Sequence, residues 1–377
     1  MEPTTEGGNP PSRQAIMERL WKMPPRPLAR GAWLWWFWLF FIHDEQTHKT
    51  GKCRQIMILW SVKPERRISC NGLELGVPKP VSGGEGRWEL QGAAAAWYYD
   101  GQRMHENFVL EPSKMRLDAR ERSLEAPGKT PSKFWQEGEE FITSIQAQGI
   151  EFELRAKQTD FSPVLGPTEG SSPMPLGMEV AGTRLERMEL GGWEKGADGK
   201  RRKIVGTAYL QKILLAAPPP QWYWGIYHFA DGSMATYMQA YAGRAMLADN
   251  MWPHRKLRKP SVSLKEDMLV YHAPSGRVFE GHQLTVKPRE GREKNCWAHA
   301  LHARGPDFEL EGEAEGYAHA CWSFKKPLGG HLPAWSTFRY NEYPSVLKRL
   351  RIKTADGESM VLENGWGNME NAWGFIL

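Results

Sequence analysis

"AYLQKILLAAPPPQWYWGIYHFADGSMATYMQAYAG" occupies residues 208–243. A triple proline separates its first two apolar runs, and Asp231-Gly232 separates the second from the third. Proline breaks helices and Asp-Gly supplies the positive φ of a tight turn, so the stretch reads as short strands joined by turns. Residues two apart on a strand share a face, which puts Trp222 with Trp224 and Tyr237 with Gln239.

The same alternation continues outward in both directions. It recurs in "GRWELQG" (86–92), "AAWYYDG" (95–101), "ENFVLEP" (106–112), "IEFELRAK" (150–157), "TRLERMELGGW" (183–193), "GRVFEGHQLTVKP" (276–288), "DFELEGEAEGYAHACWSF" (307–324) and "LKRLRIKTADGESMVLEN" (347–364). No helical period competes over more than about three turns, so the class is all-β, with barrels or sandwiches as the available architectures. A length of 377 residues points to two domains. The polar, glycine-containing "EKGADGKRRK" (194–203) marks the boundary, giving domains of 29–200 and 201–377 after a flexible tail of 1–28, in which "RQAIMERLWKM" (13–23) could form a short helix.

"RGAWLWWFWLFFIHDE" (30–45) carries eleven apolar residues, 32–42, too few for the ~20 of a membrane span. With "GKCRQIMILWSVK" (51–63) it forms an antiparallel hairpin, aromatic on both faces. Eighteen tryptophans are several times the usual share and favour cavities, interfaces or membrane boundaries. A net charge of +5 is small for 93 charged side chains (49 + 44), so a nucleic-acid footprint would need the positives gathered on one face, and no nucleic-acid partner is expected. The short cluster "HRKLRKP" (254–260) reads as a solvated loop. Cys53, Cys70, Cys296 and Cys321 lack C-x-x-C spacing and fit a reduced, cytoplasmic setting. His299, His302 and His319 match no zinc pattern, and "GGEG" (83–86) lacks the context of a phosphate loop, so neither metal nor cofactor is expected.

Gly206-Thr207-Ala208-Tyr209, Trp222-Tyr223-Trp224-Gly225, Asp231-Gly232 and Tyr237-Met238-Gln239 follow one another in an order that resembles the carotenoid 1,2-hydratase (hydroxyneurosporene synthase) family and its lipocalin-like relatives, which include cyclases and Diels–Alderases. The resemblance is densest over 206–239. It implies two lipocalin-like antiparallel barrels, the first opening with the aromatic block at 32–42 and the second closing with "GWGNMENAWGFI" (365–376). The chain departs from the family where the hydratases carry acidic-His-x-Trp, here Gln211-Lys212-Ile213-Leu214, and where they carry a second acid, here Gln239. Glutamine donates no acidic proton, which disfavours alkene hydration by the family's own residues.

The resulting expectation is a cofactor-independent enzyme that cyclises or isomerises a hydrophobic, isoprenoid or polyketide-like molecule in an aromatic pocket between the barrels. Tyr237, Lys212 and Gln239 are the candidate catalytic residues, and Tyr209, Gln211, Trp222, Trp224 and Tyr227 the candidate substrate contacts. Two other readings stand beside it: a non-catalytic carrier of hydrophobic ligands, and a hydratase. Peripheral membrane contact through 32–42 is a further reading of that block.

Overall fold

The computed structural model describes residues 12–24, 28, 32–63, 68–75, 81–82, 86–159, 164–174, 178–216, 220–243, 261–327 and 335–374. The basic cluster at 254–260 and most of "GGEG" lie outside them. Strands make up 71% of the structure and close into two antiparallel barrels of ten and eight strands. The all-β expectation is met.

Ten strands form the first barrel in chain order. They are Trp33–Ile42, Arg54–Val62, Arg87–Tyr99, Met104–Asp118, Ser123–Ala126, Ser132–Glu137, Glu140–Ala147, Ile150–Lys157, Met178–Lys195 and Arg201–Ala216, the last pairing with the first. The two segments expected at 86–92 and 95–101 are one strand, because Ala93–Ala96 continues the ladder between them against Ser61–Ile58. Eight strands form the second barrel: Gln221–His228, Met234–Gly243, Ser261–His272, Arg277–Glu290, Trp297–Arg304, Phe308–Gly316, Trp335–Thr354 and Ser359–Gly374, the last returning to Gln221–His228.

The segment 194–203 is the hairpin between Met178–Lys195 and Arg201–Ala216, and both of those strands belong to the first sheet. The chain passes to the second sheet only after Ala216. A second exchange runs the other way. Ser69–Cys70, from the first barrel's part of the chain, pairs with Ala320–Pro327 at the edge of the second sheet.

Alternation on Trp33–Ile42 explains the junction. Trp36, Trp38, Phe40 and Ile42 point into the first barrel, whereas Trp33, Phe37, Leu39 and Phe41 point out and pack with Trp224, Ile226, Trp322 and Trp366 of the second. An aromatic strand with both faces buried is therefore a barrel wall and a domain interface at once, which accounts for the uninterrupted apolar run. Among the described residues no helix is long and apolar enough to cross a membrane.

Candidate active site

The expected site residues fall into three places. Tyr209, Gln211, Trp222 and Trp224 lie between the barrels. Tyr227, Tyr237 and Gln239 face the second barrel's interior, and Lys212 faces the first's. Strand parity is the cause: Lys212 follows Gln211, so its side chain takes the opposite face.

Inside the second barrel, the Tyr237 hydroxyl bonds His299 Nδ1 at 2.7 Å, and Tyr227 bonds Ser345 at 2.9 Å. Burial pushes both phenols well above their ordinary range. A Cβ on Gly225 would meet the Tyr237 ring at 2.6 Å, which explains the glycine after "WYW". Gln239 bridges two main-chain groups, donating to Leu284 O at 2.9 Å and accepting from Val286 N at 3.2 Å, next to a register break in the Arg277–Glu290 strand. These geometries are those of structural polar groups. Tyr237→Phe is accordingly expected to cost about 1–2 kcal/mol, read by urea denaturation, through the lost bond to His299.

Lys212 donates to Arg19 O at 2.7 Å and to Lys22 O, and its ammonium lies 5.0 Å from the Trp36 ring centre. Burial pulls its pKa down to about 7, while the two carbonyls and the indole face favour the charged form.

The junction holds what the sequence reading missed. Glu342 and Glu370 stand directly opposite each other on neighbouring antiparallel strands, a geometry that puts their Cβ atoms about 4.5–5.5 Å apart. They are 1% and 4% exposed. Glu370 accepts from Trp222 Nε1 at 2.8 Å and from the Tyr340 hydroxyl at 2.6 Å. Glu342 accepts from Asn368 Nδ2, and its Oε1 has no hydrogen-bond partner. Burial is the largest cause raising both carboxyls, Glu370 to about 7 and Glu342 well above the carboxylate range, the second also through repulsion by Glu370.

Around this pair stand Trp224, Tyr209 and Phe37, with ring centres 5.5 Å apart for Tyr209–Trp224 and 6.3 Å for Phe37–Trp224. Tyr209 donates to Gln211 Oε1 at 3.0 Å. Arg184 sits beside Tyr209, as does Glu186, a third buried carboxyl raised to about 7 by burial. A signal for the pair existed in the sequence. In "FRYNEYP" and "GWGNMENAWG" each glutamate holds the strand parity of Phe338 and Tyr340, or of Trp366 and Ala372, where an acid has no solvent.

Among the described residues, the expected aromatic pocket between the barrels is largely filled by its own rings. The junction rings pack on one another, Trp222 on Phe338 at 5.6 Å and Trp33 on Phe324 at 5.2 Å. A cavity of about 30 Å³, lined by Trp33, Leu59, Ser61, Lys63, Trp322 and Phe324, lies in the same interface. This cavity is far below the about 300–1,000 Å³ of a ligand pocket, so a guest of that size enters it only when these rings part. Trp222, Tyr340 and Gln211 are half-buried and form the outer edge of the cluster.

Over 93% of this chain and 98% of the other, the structure aligns at a TM-score of 0.51 and 10% identity with a crystal structure assigned as AttH from Nitrosomonas europaea. The likeness is one of fold. It supports the all-β, two-barrel architecture described above. Kievitone hydratase from Nectria haematococca aligns over 91% of this chain and 89% of its own at 10% identity and a TM-score of 0.47. CghA with Sch210972 aligns over 91% and 88% at 9% identity and 0.48. No family model matches the chain, and no curated protein matches it.

Proposed function

We infer that the chain is a cofactor-independent enzyme that isomerises or cyclises a hydrophobic small molecule, isoprenoid or polyketide-like, by proton transfer between the barrels. The observation that carries this reading is the Glu342–Glu370 pair: two desolvated carboxyls, opposite each other, in an aromatic wall. Their environments divide the roles. Glu370 accepts two hydrogen bonds, which favour its ionised form, whereas Glu342 has one donor and a partnerless oxygen. Glu342 is thus the acid and Glu370 the base.

In the proposed step the Glu342 O–H bond breaks and a C–H bond forms at one alkene carbon. Positive charge develops on the neighbouring carbon, against the faces of Trp222 and Trp224. Glu370 then removes a proton from an adjacent carbon, closing a new alkene; as product leaves, Glu370 gives that proton to solvent and Glu342 takes one from it. Trapping of the cation by a second alkene of the same substrate gives cyclisation instead. Positioned acid–base groups contribute about 10²–10⁴ in rate. Holding the chain in a reactive fold adds to this.

The test is incubation of the protein with prenylated and polyketide-derived alkenes in deuterium oxide, with product masses followed. One deuterium per turnover at carbon supports the reading, and ligand retention with no exchange favours a carrier and overturns it. Heavy-oxygen water separates hydration, which incorporates the label, from isomerisation, which does not. Turnover is further expected to rise as pH passes about 7 and Glu370 becomes an ionised base, and to fall at higher pH as Glu342, raised further, loses its proton, checked as kcat against pH.

A further inference from the structure

The first barrel contains part of its own chain. Helix Arg13–Arg19, capped by Ser12 Oγ on Ala15 N at 3.2 Å, delivers Leu20 and Trp21 into the apolar interior, where they are 0% and 1% exposed. The Trp21 ring rests on Phe134 with centroids 4.6 Å apart, and its Nε1 reaches Gln136 Oε1 at 3.2 Å.

The barrel meets this segment mainly with donors. Trp36 Nε1 donates to Leu20 O at 2.8 Å, and Lys212 Nζ donates to Arg19 O at 2.7 Å and to Lys22 O. Deeper in the same interior, Trp38 Nε1 and Thr143 Oγ1 are buried with no hydrogen-bond partner, in side chains that are both 0% exposed. Trp38 lies against Phe134 and Phe141, at 5.3 and 6.1 Å between ring centres. Thr143 shares their face, alternating with Phe141 and Ile145 on its strand. Orphaned buried donors are rare because each forfeits its hydration without return. The interior therefore presents a cation and an indole N–H saturated by main-chain carbonyls at one mouth, and two further polar groups awaiting an acceptor below.

We propose that the first barrel is a second ligand site, separate from the carboxyl pair, which takes a hydrophobic carboxylate, and that residues 19–22 are its intramolecular stand-in. The carboxylate replaces the carbonyls on Lys212 and Trp36. The apolar body takes the place of Trp21, and an oxygen along it accepts from Trp38 or Thr143. Entry expels the N-terminal segment.

The full-length protein is titrated with dansylundecanoic acid while fluorescence and tryptic cleavage after Arg19 and Lys22 are followed together. Saturable binding with cleavage of those two bonds accelerated at least about tenfold is expected, since both lie in the displaced segment. Lys212→Met is expected to weaken the acid by about tenfold or more while leaving the uncharged dansylundecanol within about twofold, because only the acid makes a charge-assisted bond. Trp21→Ala, which loosens the stand-in, is expected to tighten the acid. Absence of saturable binding, binding without accelerated cleavage, or equal loss of acid and alcohol in Lys212→Met overturns the proposal. The cleavage arm uses the unmodified chain and does not depend on any variant folding.

Discussion

Glu342→Gln is expected to lower turnover by at least about 10²-fold while making the protein more stable at about pH 8. The opposite signs follow from one cause. A carboxyl whose folded pKa is raised holds its proton in the folded state at pH values where the unfolded chain has lost it. Its stabilisation is complete below the ordinary value of 4.5 and is lost as pH rises through the folded value, which is about 7 for Glu370 and Glu186. Each raised carboxyl thus costs the native state stability at about pH 8, roughly 3 kcal/mol for a rise from 4.5 to about 7 such as that of Glu186, and an uncharged amide removes that cost. Glutamine still accepts from Asn368 through its carbonyl oxygen, so the local hydrogen bond survives. Urea denaturation at about pH 5 and pH 8 reads the effect: a steep decline with pH in the parent and a shallower one in the variant. A pair kept for structure alone behaves otherwise, because breaking it destabilises at both pH values.

Trp366→Ala is the most destabilising single substitution expected at the junction, at about 3–5 kcal/mol. Trp366 is 1% exposed and donates from Nε1 to Thr207 Oγ1 at 2.9 Å, across the boundary between the barrels. The same hydroxyl lies 2.8 Å from His228 Nδ1, and the Trp366 ring packs 4.5 Å from the ring of His43. Truncation opens a cavity and strips a buried donor from Thr207 together. Trp366→Phe, which keeps most of the volume, is expected to lose about 1 kcal/mol by the same denaturation measurement, the net worth of one hydrogen bond.

The fold was largely legible in the sequence, and the site was legible only in part. Period-two alternation is a local property, so Trp33–Ile42 with Arg54–Val62, the Asp-Gly turns and the closing strand could all be read from neighbours along the chain. The parity of Trp222 with Trp224 was readable in the same way. Which barrel a face belongs to was not readable, because that depends on closure between strands far apart in sequence. Lys212 and Tyr237, grouped by their order in the chain, end in the interiors of different barrels. Glu342 and Glu370 do not stand out from the resemblance, because its acids align with positions 211 and 239. The structure supplies acids from two strands near the C-terminus, on the same junction face as Trp222.

The exchange of Ser69–Cys70 into the second sheet sets a timetable for synthesis. Once residue 216 has left the ribosome the first barrel can close, yet the partner of that short strand, Ala320–Pro327, has not been made. At roughly 5–20 residues per second the 158 residues from 217 to Gly374, where the second barrel's last strand ends, take on the order of 8–30 seconds to emerge. Through that interval Trp33, Phe37, Leu39, Phe41 and Tyr209 face water on a finished half-molecule. The nascent chain is therefore sticky at a defined stage, and its yield in a cell depends on whatever shields that aromatic wall until the second half arrives.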